Sequence, residues 1–299
     1  MTITAKIIIA ILTVHALWGL GQFIFQQDFG LQKIGETDLA PDQPAIAKFT
    51  LCLSPSCEGE SEGMKIVRAY GPYPHPNSFA GALVIGLILL LSLKKNPEPK
   101  TKTIIFGILL IALLLTFSRA ALLAFLIFFL LYQIKKPNKK LILITLVVLL
   151  TFSPLLLARQ QDSQDVALPE RYSGYKWSVE LIQANYLTGV GYDNYKTALA
   201  NYLNTNHIPH QPWQIDYVHS VPLLIIAQWG IVRGALLFTL LFWLFRKNPI
   251  ILFSLTPIIF LDHYLITQAT PLILLIILGY NTNTHANSFR LSSPSSRNR

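Results

Sequence analysis

Long apolar runs recur along this 299-residue chain, and they restrict its fold more than any other feature does. A helix crossing the hydrocarbon core of a bilayer needs roughly 20 mostly apolar residues. Backbone in lipid must satisfy its own hydrogen bonds, so such runs are read as helices. They cover residues 6–25, 76–93, 103–134, 141–157, 218–245, 249–261 and 265–280. The third is interrupted only by Ser118-Arg119; at about 32 residues it is too long for one span and suits two short helices joined by a tight turn. The fifth is also long, and a kink at Gly230 is expected. The fold class is therefore an all-α polytopic membrane protein with about eight transmembrane helices and two outer-face loops.

The composition agrees, being 52% hydrophobic and only 13% charged. The N-terminal run resembles a signal peptide, but it lacks an A-x-A-like exit and more spans follow, so it reads as a retained first helix. The net charge of +9 invites a nucleic-acid reading. Position argues against it: the basic residues cluster at 94–102, 135–140 and 246–247, beside apolar runs, as the positive-inside rule expects. With those clusters and the tail cytoplasmic, the N-terminus is cytoplasmic too. The loops 26–72 and 158–217, the Ser118-Arg119 turn and Asp262-His263 then share the outer face. Residues 1–280 form one transmembrane helical domain on this reading, and 281–299 a disordered basic cytoplasmic tail. Cys52 and Cys57 share the first loop; a disulfide and two free thiols both fit.

Several polar residues are candidates for chemistry at that face. Arg119 lies between two apolar runs, where an arginine is costly and functional by default. Ser118 could cap the helix that Arg119 opens, and free N–H groups beside an arginine suit an anion such as a lipid-linked phosphate. Snorkelling to a lipid headgroup is the plainer alternative. Arg171 could supply a second planar fork for phosphate oxygens. Nearby, Tyr172 and Trp177 fit stacking on sugar rings or packing at the bilayer interface. His219, just before an apolar run, suits a general base. His207, His210, Asp216 and His219 are loosely zinc-like in spacing, but Pro209 and Pro212 prevent a helical histidine pair, so no metal and no cofactor are assigned. Arg68, His75 and Asn77 in RAYGPYPHPNSFAG would sit where the second span begins, either at the site or in a plain entry loop. Asp262 and His263 join them as candidate substrate-binding residues. Arg233 lies about 21 Å from His219 on a continuous helix, so it is left without a role; pairing with Asp262 and snorkelling both stay open. Gly189-Val190-Gly191 follows no clear strand and reads as a turn.

The order of these residues resembles the signature region of the O-antigen ligase and polymerase superfamily. Arg171 with Trp177, then Gly189-Val190-Gly191, Val218-His219, and Gly230 with Gly234 carry the likeness. LTFSRAALLA at 115–124 resembles the Ser-Arg turn that precedes it, and YPHPNSFAG and DHYLITQ resemble segments of some bacterial members. The likeness is most specific from 115 to 234. It implies an inverting, metal-independent glycosyltransferase of the GT-C type in the plasma membrane. The donor would be an undecaprenyl-diphosphate-linked glycan. The acceptor would be a hydroxyl of a lipid, glycan or protein, handled at the outer face among membrane lipids and without nucleic acid. Arg119 and Arg171 would bind the diphosphate and His219 would activate the hydroxyl. The family commonly has Asn after the histidine and Glu two residues before the glycine, where this chain has Ser220 and Gln228. It also commonly has about twelve spans. Two other readings compete: a transporter or flippase of lipid-linked sugars, which predicts paired broken helices near mid-membrane, and an inactive membrane scaffold.

Overall fold

The computed structural model describes residues 3–43, 46–51, 64–92, 98–160 and 167–284. Cys52, Cys57 and the tail from residue 285 lie outside the described residues. The protein is mostly helical. Its helices are α1 (Ile3–Phe25), α2 (Pro76–Ser92), α3 (Pro99–Leu115), α4 (Arg119–Lys135), α5 (Lys139–Gln160), α6 (Ala167–Ala184), α7 (Tyr195–Thr205), α8 (Val221–Phe245), α9 (Pro249–Leu261), α10 (Tyr264–Thr267) and α11 (Ala269–Thr284). Over its described residues, each apolar run of the sequence is largely helical. Three helices are long and apolar enough to cross a bilayer, Thr4–Phe25, Lys139–Ala158 and Val221–Phe245, while the apolar helices at 76–92, 249–261 and 269–280 are shorter. Helix α11 carries four residues of the expected disordered tail, since it runs on to Thr284.

Helix α2 is the axis of the bundle. It is buried from Pro76 to Leu91, with α1, α3, α4 and α11 around it. Two of its glycines allow that crowding: a methyl at Gly81 would strike the ring of Tyr264, and one at Gly86 the side chain of Leu12.

Loop 26–72 contains a short antiparallel hairpin, β1 (Lys48–Leu51) with β2 (Met64–Val67), in which Lys48 faces Val67. Its anchor is Glu36. The carboxylate is buried and accepts from Trp18 Nε1 at 2.7 Å, Gln22 Nε2 at 2.8 Å, Phe29 N at 3.0 Å and Leu31 N at 2.8 Å. A buried carboxylate is costly unless so satisfied. Burial pushes its pKa up, but the donors outweigh burial and hold it below the usual range.

From residue 167 on, the expected polar loop 158–217 is a helical lobe built from α6, α7 and a 3-10 turn at Pro212–Gln214. Its core is Trp177, Leu181, Tyr195, Leu199, Leu203 and Val218, packed on Leu224 and Ala227 of α8. Trp177 and Leu181 on α6, and Tyr195, Leu199 and Leu203 on α7, recur every four residues, which puts each set on one face of its helix.

Helix α8 is broken at Gly230, whose φ of 75° and ψ of 171° are not helical. The break would leave backbone groups without partners, a heavy cost in an apolar setting. The turn after α6 supplies them. Val190 N donates to Ala227 O at 2.8 Å, Gly191 N to Gln228 O at 2.9 Å, and Ile231 N to Tyr186 O at 2.8 Å. The approach is so close that a methyl at Gly230 would overlap the Leu187 carbonyl, and one at Gly189 the Gln228 carbonyl. The expected turn and the expected kink are thus two halves of one clasp.

Candidate functional site

Five short stretches of the chain line one polar cavity of about 220 Å³. The end of β2 contributes Arg68, the entry to α2 contributes His75 and Asn77, and the α3–α4 turn contributes Phe117, Ser118, Arg119 and Ala120. Helix α6 adds Glu170 and Arg171, and the segment before α8 adds Trp213, Asp216 and His219 among others. Three arginines and two histidines therefore line one space, whereas Asp262 and His263, expected to join them, are not on its wall.

Backbone geometry aims Arg119. Phe117 takes a φ of 51°, unusual for a bulky residue, and its ring is held by Phe49 at a centroid separation of 4.6 Å. Helix α4 then starts at Arg119 itself, so the first N–H groups of that helix open on the cavity. Ser118 occupies the N-cap position but its hydroxyl makes no capping bond, unlike the sequence expectation. A second, apolar cavity adjoins the same turn, lined by Leu113, Leu114, Phe117, Arg119, Leu122 and Leu156. Phe117, Ser118 and Arg119 belong to both walls.

Arg68 is buried yet lines the polar cavity. Its Nε donates to the Thr116 carbonyl at 2.6 Å and its Nη2 to Asn77 Oδ1 at 2.8 Å. Asn77 Nδ2 in turn donates to Asp262 Oδ2 at 2.8 Å. Asp262 is buried, and its other oxygen accepts from His263 N at 2.9 Å. Asp262 is thus held by Asn77, while Arg233 is an exposed residue of α8 beyond the break.

His219 stands half-buried at the foot of α8, with its carbonyl accepting from Tyr175 Oη at 3.0 Å. The ring of His263 meets it edge-on, centroids 5.2 Å apart. Burial lowers the His219 pKa to about 4, against the opposing pull of Asp262, and burial also lowers that of His263. Both rings are neutral near pH 7, so each has a lone pair to accept a proton. His263 Nδ1 lies 2.9 Å from the Thr267 hydroxyl, which leaves its Nε2 as the free edge.

His219, Asp262 and His263 each offer a ligand atom within 4.8 Å of the others, a possible donor set for a divalent cation. Ligand atoms around tetrahedral zinc lie about 3.3 Å apart, so the trio would have to contract to close on one. Among the described residues this trio, and not the sequence-adjacent set with His207 and His210, is where a metal would find ligands.

Two aromatic candidates lie elsewhere. Trp177 is buried in the lobe core rather than facing the cavity, because its face of α6 packs on α7 and α8. Tyr172 is 73% exposed and also absent from the cavity wall. Trp213, Glu170 and Asp216 do line it, although the sequence reading gave none of the three a sugar- or phosphate-binding role. The adjacency of Glu170 to Arg171 was the one available signal.

Residues 104–239 match the family model described as O-antigen ligase. The match supports an O-antigen ligase/polymerase-type superfamily for this segment. The matched segment runs from α3 into α8 and takes in Arg119, Arg171, His219 and both halves of the Gly189–Gly230 clasp. It encloses residues 115–234, where the motif resemblance is most specific. Arg68, His75, Asn77, Asp262 and His263 lie outside it. No curated protein and no solved structure matches the chain. Apolar helices together with an O-antigen ligase domain make this a membrane protein.

Proposed function

We propose that the protein is a glycosyltransferase that moves a glycan from undecaprenyl diphosphate to an acceptor hydroxyl at the outer face of the plasma membrane. The observation that carries this reading is Arg119, which stands at the junction of a polar and an apolar cavity. A lipid-linked diphosphate is the ligand with both characters. Its phosphates would meet Arg119, Arg68, Arg171 and the N-terminus of α4, where cations and N–H dipoles favour anionic oxygens. Its isoprenoid chain would lie along Leu113, Leu114, Leu122 and Leu156.

In this mechanism His219 accepts the proton of the acceptor hydroxyl as its oxygen attacks the anomeric carbon. The bond from that carbon to the diphosphate oxygen breaks, and inversion follows from attack on the opposite side. The arginines stabilise the charge that develops on the leaving diphosphate, the stage at which electrostatic stabilisation counts most. The low pKa of His219 keeps it in the base form at neutral pH. Eight membrane crossings, with a cytoplasmic N-terminus and the cavity facing outward, complete the reading.

Purified protein, undecaprenyl-diphosphate glycan and candidate acceptors, assayed with and without a chelator, provide the test. Metal-independent formation of a glycosidic bond is expected. Movement of the lipid across vesicles without bond formation would instead establish a flippase, and neither activity would establish a scaffold.

A further inference from the structure

Trp213 is the largest side chain on the rim of the polar cavity, and it is 68% exposed. An exposed indole exposes much apolar area to water, so its setting matters. It is held in place from both sides. The 3-10 turn that carries it is closed by a reciprocal bond pair, Gln214 N to Gln211 O at 3.0 Å and Gln211 N to Gln214 Oε1 at 2.8 Å. Its Nε1 donates to Glu170 Oε1 at 3.1 Å. A flat aromatic face on the rim is thus fixed in orientation by a residue adjacent to Arg171.

We infer that Trp213 is a stacking platform for the sugar ring directly attached to the donor diphosphate. This rests on the reading of Arg119 and Arg171 as the diphosphate cradle. A pyranose has one face of C–H groups, which packs on an aromatic face, while its hydroxyls need polar partners around the edge. Gln214 and Asp216 line the same wall; with Gln214 Oε1 taken by Gln211 N and Asp216 Oδ1 by Lys196, the Gln214 Nε2 and Asp216 Oδ2 groups offer those partners. The Glu170 bond fastens the ring one residue from Arg171, and that adjacency favours the sugar next to the phosphates over a remote part of the glycan. The platform accounts for sugar recognition that buried Trp177 does not provide.

Equilibrium binding of two lipids to full-length protein in nanodiscs separates the possibilities: polyprenyl diphosphate carrying one sugar, and polyprenyl diphosphate alone. Trp213→Ala should weaken binding of the sugar-bearing lipid about five- to tenfold, the scale of one aromatic contact, and leave the bare lipid unchanged. Trp213→Phe should retain most of the affinity. Unchanged binding of both lipids by Trp213→Ala overturns the platform, and equal weakening of both overturns it in favour of a structural or membrane-interface role. Wild-type protein that binds neither lipid overturns the transferase reading and the platform with it.

Discussion

Asn77 joins Arg68 to Asp262, accepting from the guanidinium at 2.8 Å and donating to the carboxylate at 2.8 Å. One neutral amide thus stands between a buried cation and a buried anion. A direct ion pair would turn the Arg68 charge towards Asp262. The amide keeps Arg68 on the cavity wall and Asp262 beside the two histidines. Asn77→Leu should remove both bonds and leave two charged groups short of a partner. The expected loss of stability is about 3 kcal/mol, seen as a lower thermal midpoint in detergent. Asn77→Asp keeps the shape but sets a carboxylate against Asp262. It should fold and show a donor KM raised at least as much as kcat is lowered, because it neutralises Arg68.

His219 should govern the acid side of the rate profile. Its folded-state pKa is depressed, so the neutral base form persists as pH falls and is lost only near pH 4. The rate of transfer should stay level from about pH 8 to 5.5 and drop below pH 5, within the range that the protein survives. An acid limb centred at the ordinary imidazole value would contradict this. His219→Ala should abolish transfer with membrane insertion intact, and full activity in that variant would remove the base assignment.

Arg119→Lys tests the diphosphate cradle. Lysine retains the charge but lacks the planar fork that meets two phosphate oxygens at once. Loss of one charge-assisted bond corresponds to roughly 2 kcal/mol, or about thirtyfold in kcat/KM. A wild-type rate would mean that Arg119 serves the lipid headgroups only.

Glu36 should make the junction of α1 with the start of loop 26–72 acid-sensitive. Its folded pKa lies below the unfolded value. Its stabilising contribution is therefore complete above the unfolded carboxylate value of about 4.3 and is lost as pH falls through the lower folded value. Thermal midpoints measured from pH 7 down to pH 3 should decline for the wild type. They should start lower and decline less for Glu36→Gln, which cannot ionise.

Gly230→Ala combines a backbone conformation hostile to side chains with overlap on the Leu187 carbonyl. A destabilisation of about 2 kcal/mol or more is expected. Protease accessibility of the turn at 186–191 should rise with it, because that turn loses its seat.

Much of this arrangement could be read from the sequence because hydrophobic run length is a one-dimensional signal. The helices fall where the apolar runs lie, and the Ser118-Arg119 turn divides α3 from α4 as its length demanded. Arg119 and His219 could be picked out because each borders apolar sequence, whereas Arg171, inside the outer loop, stood out only beside Arg119. Trp177 was ambiguous. Its spacing with Leu181 fits both a sugar platform and a packed face, and only the presence of α7 opposite decides for packing. Asn77 and Asp262 are separated by 185 residues, and no local pattern records that contact. The partner of His219 proved to be His263 rather than the nearer His207 or His210, since the chain returns through α9 to bring it there.

The clasp between the 186–191 turn and the α8 break has a meaning for how such chains can diverge. Gly189 and Gly230 fill the same gap from opposite sides, so neither position can accept a side chain while the other backbone stays in place. Replacing either glycine should displace both segments at once, the turn and the broken helix together. The pair is therefore a better mark of this broken helix in a new sequence than either glycine alone.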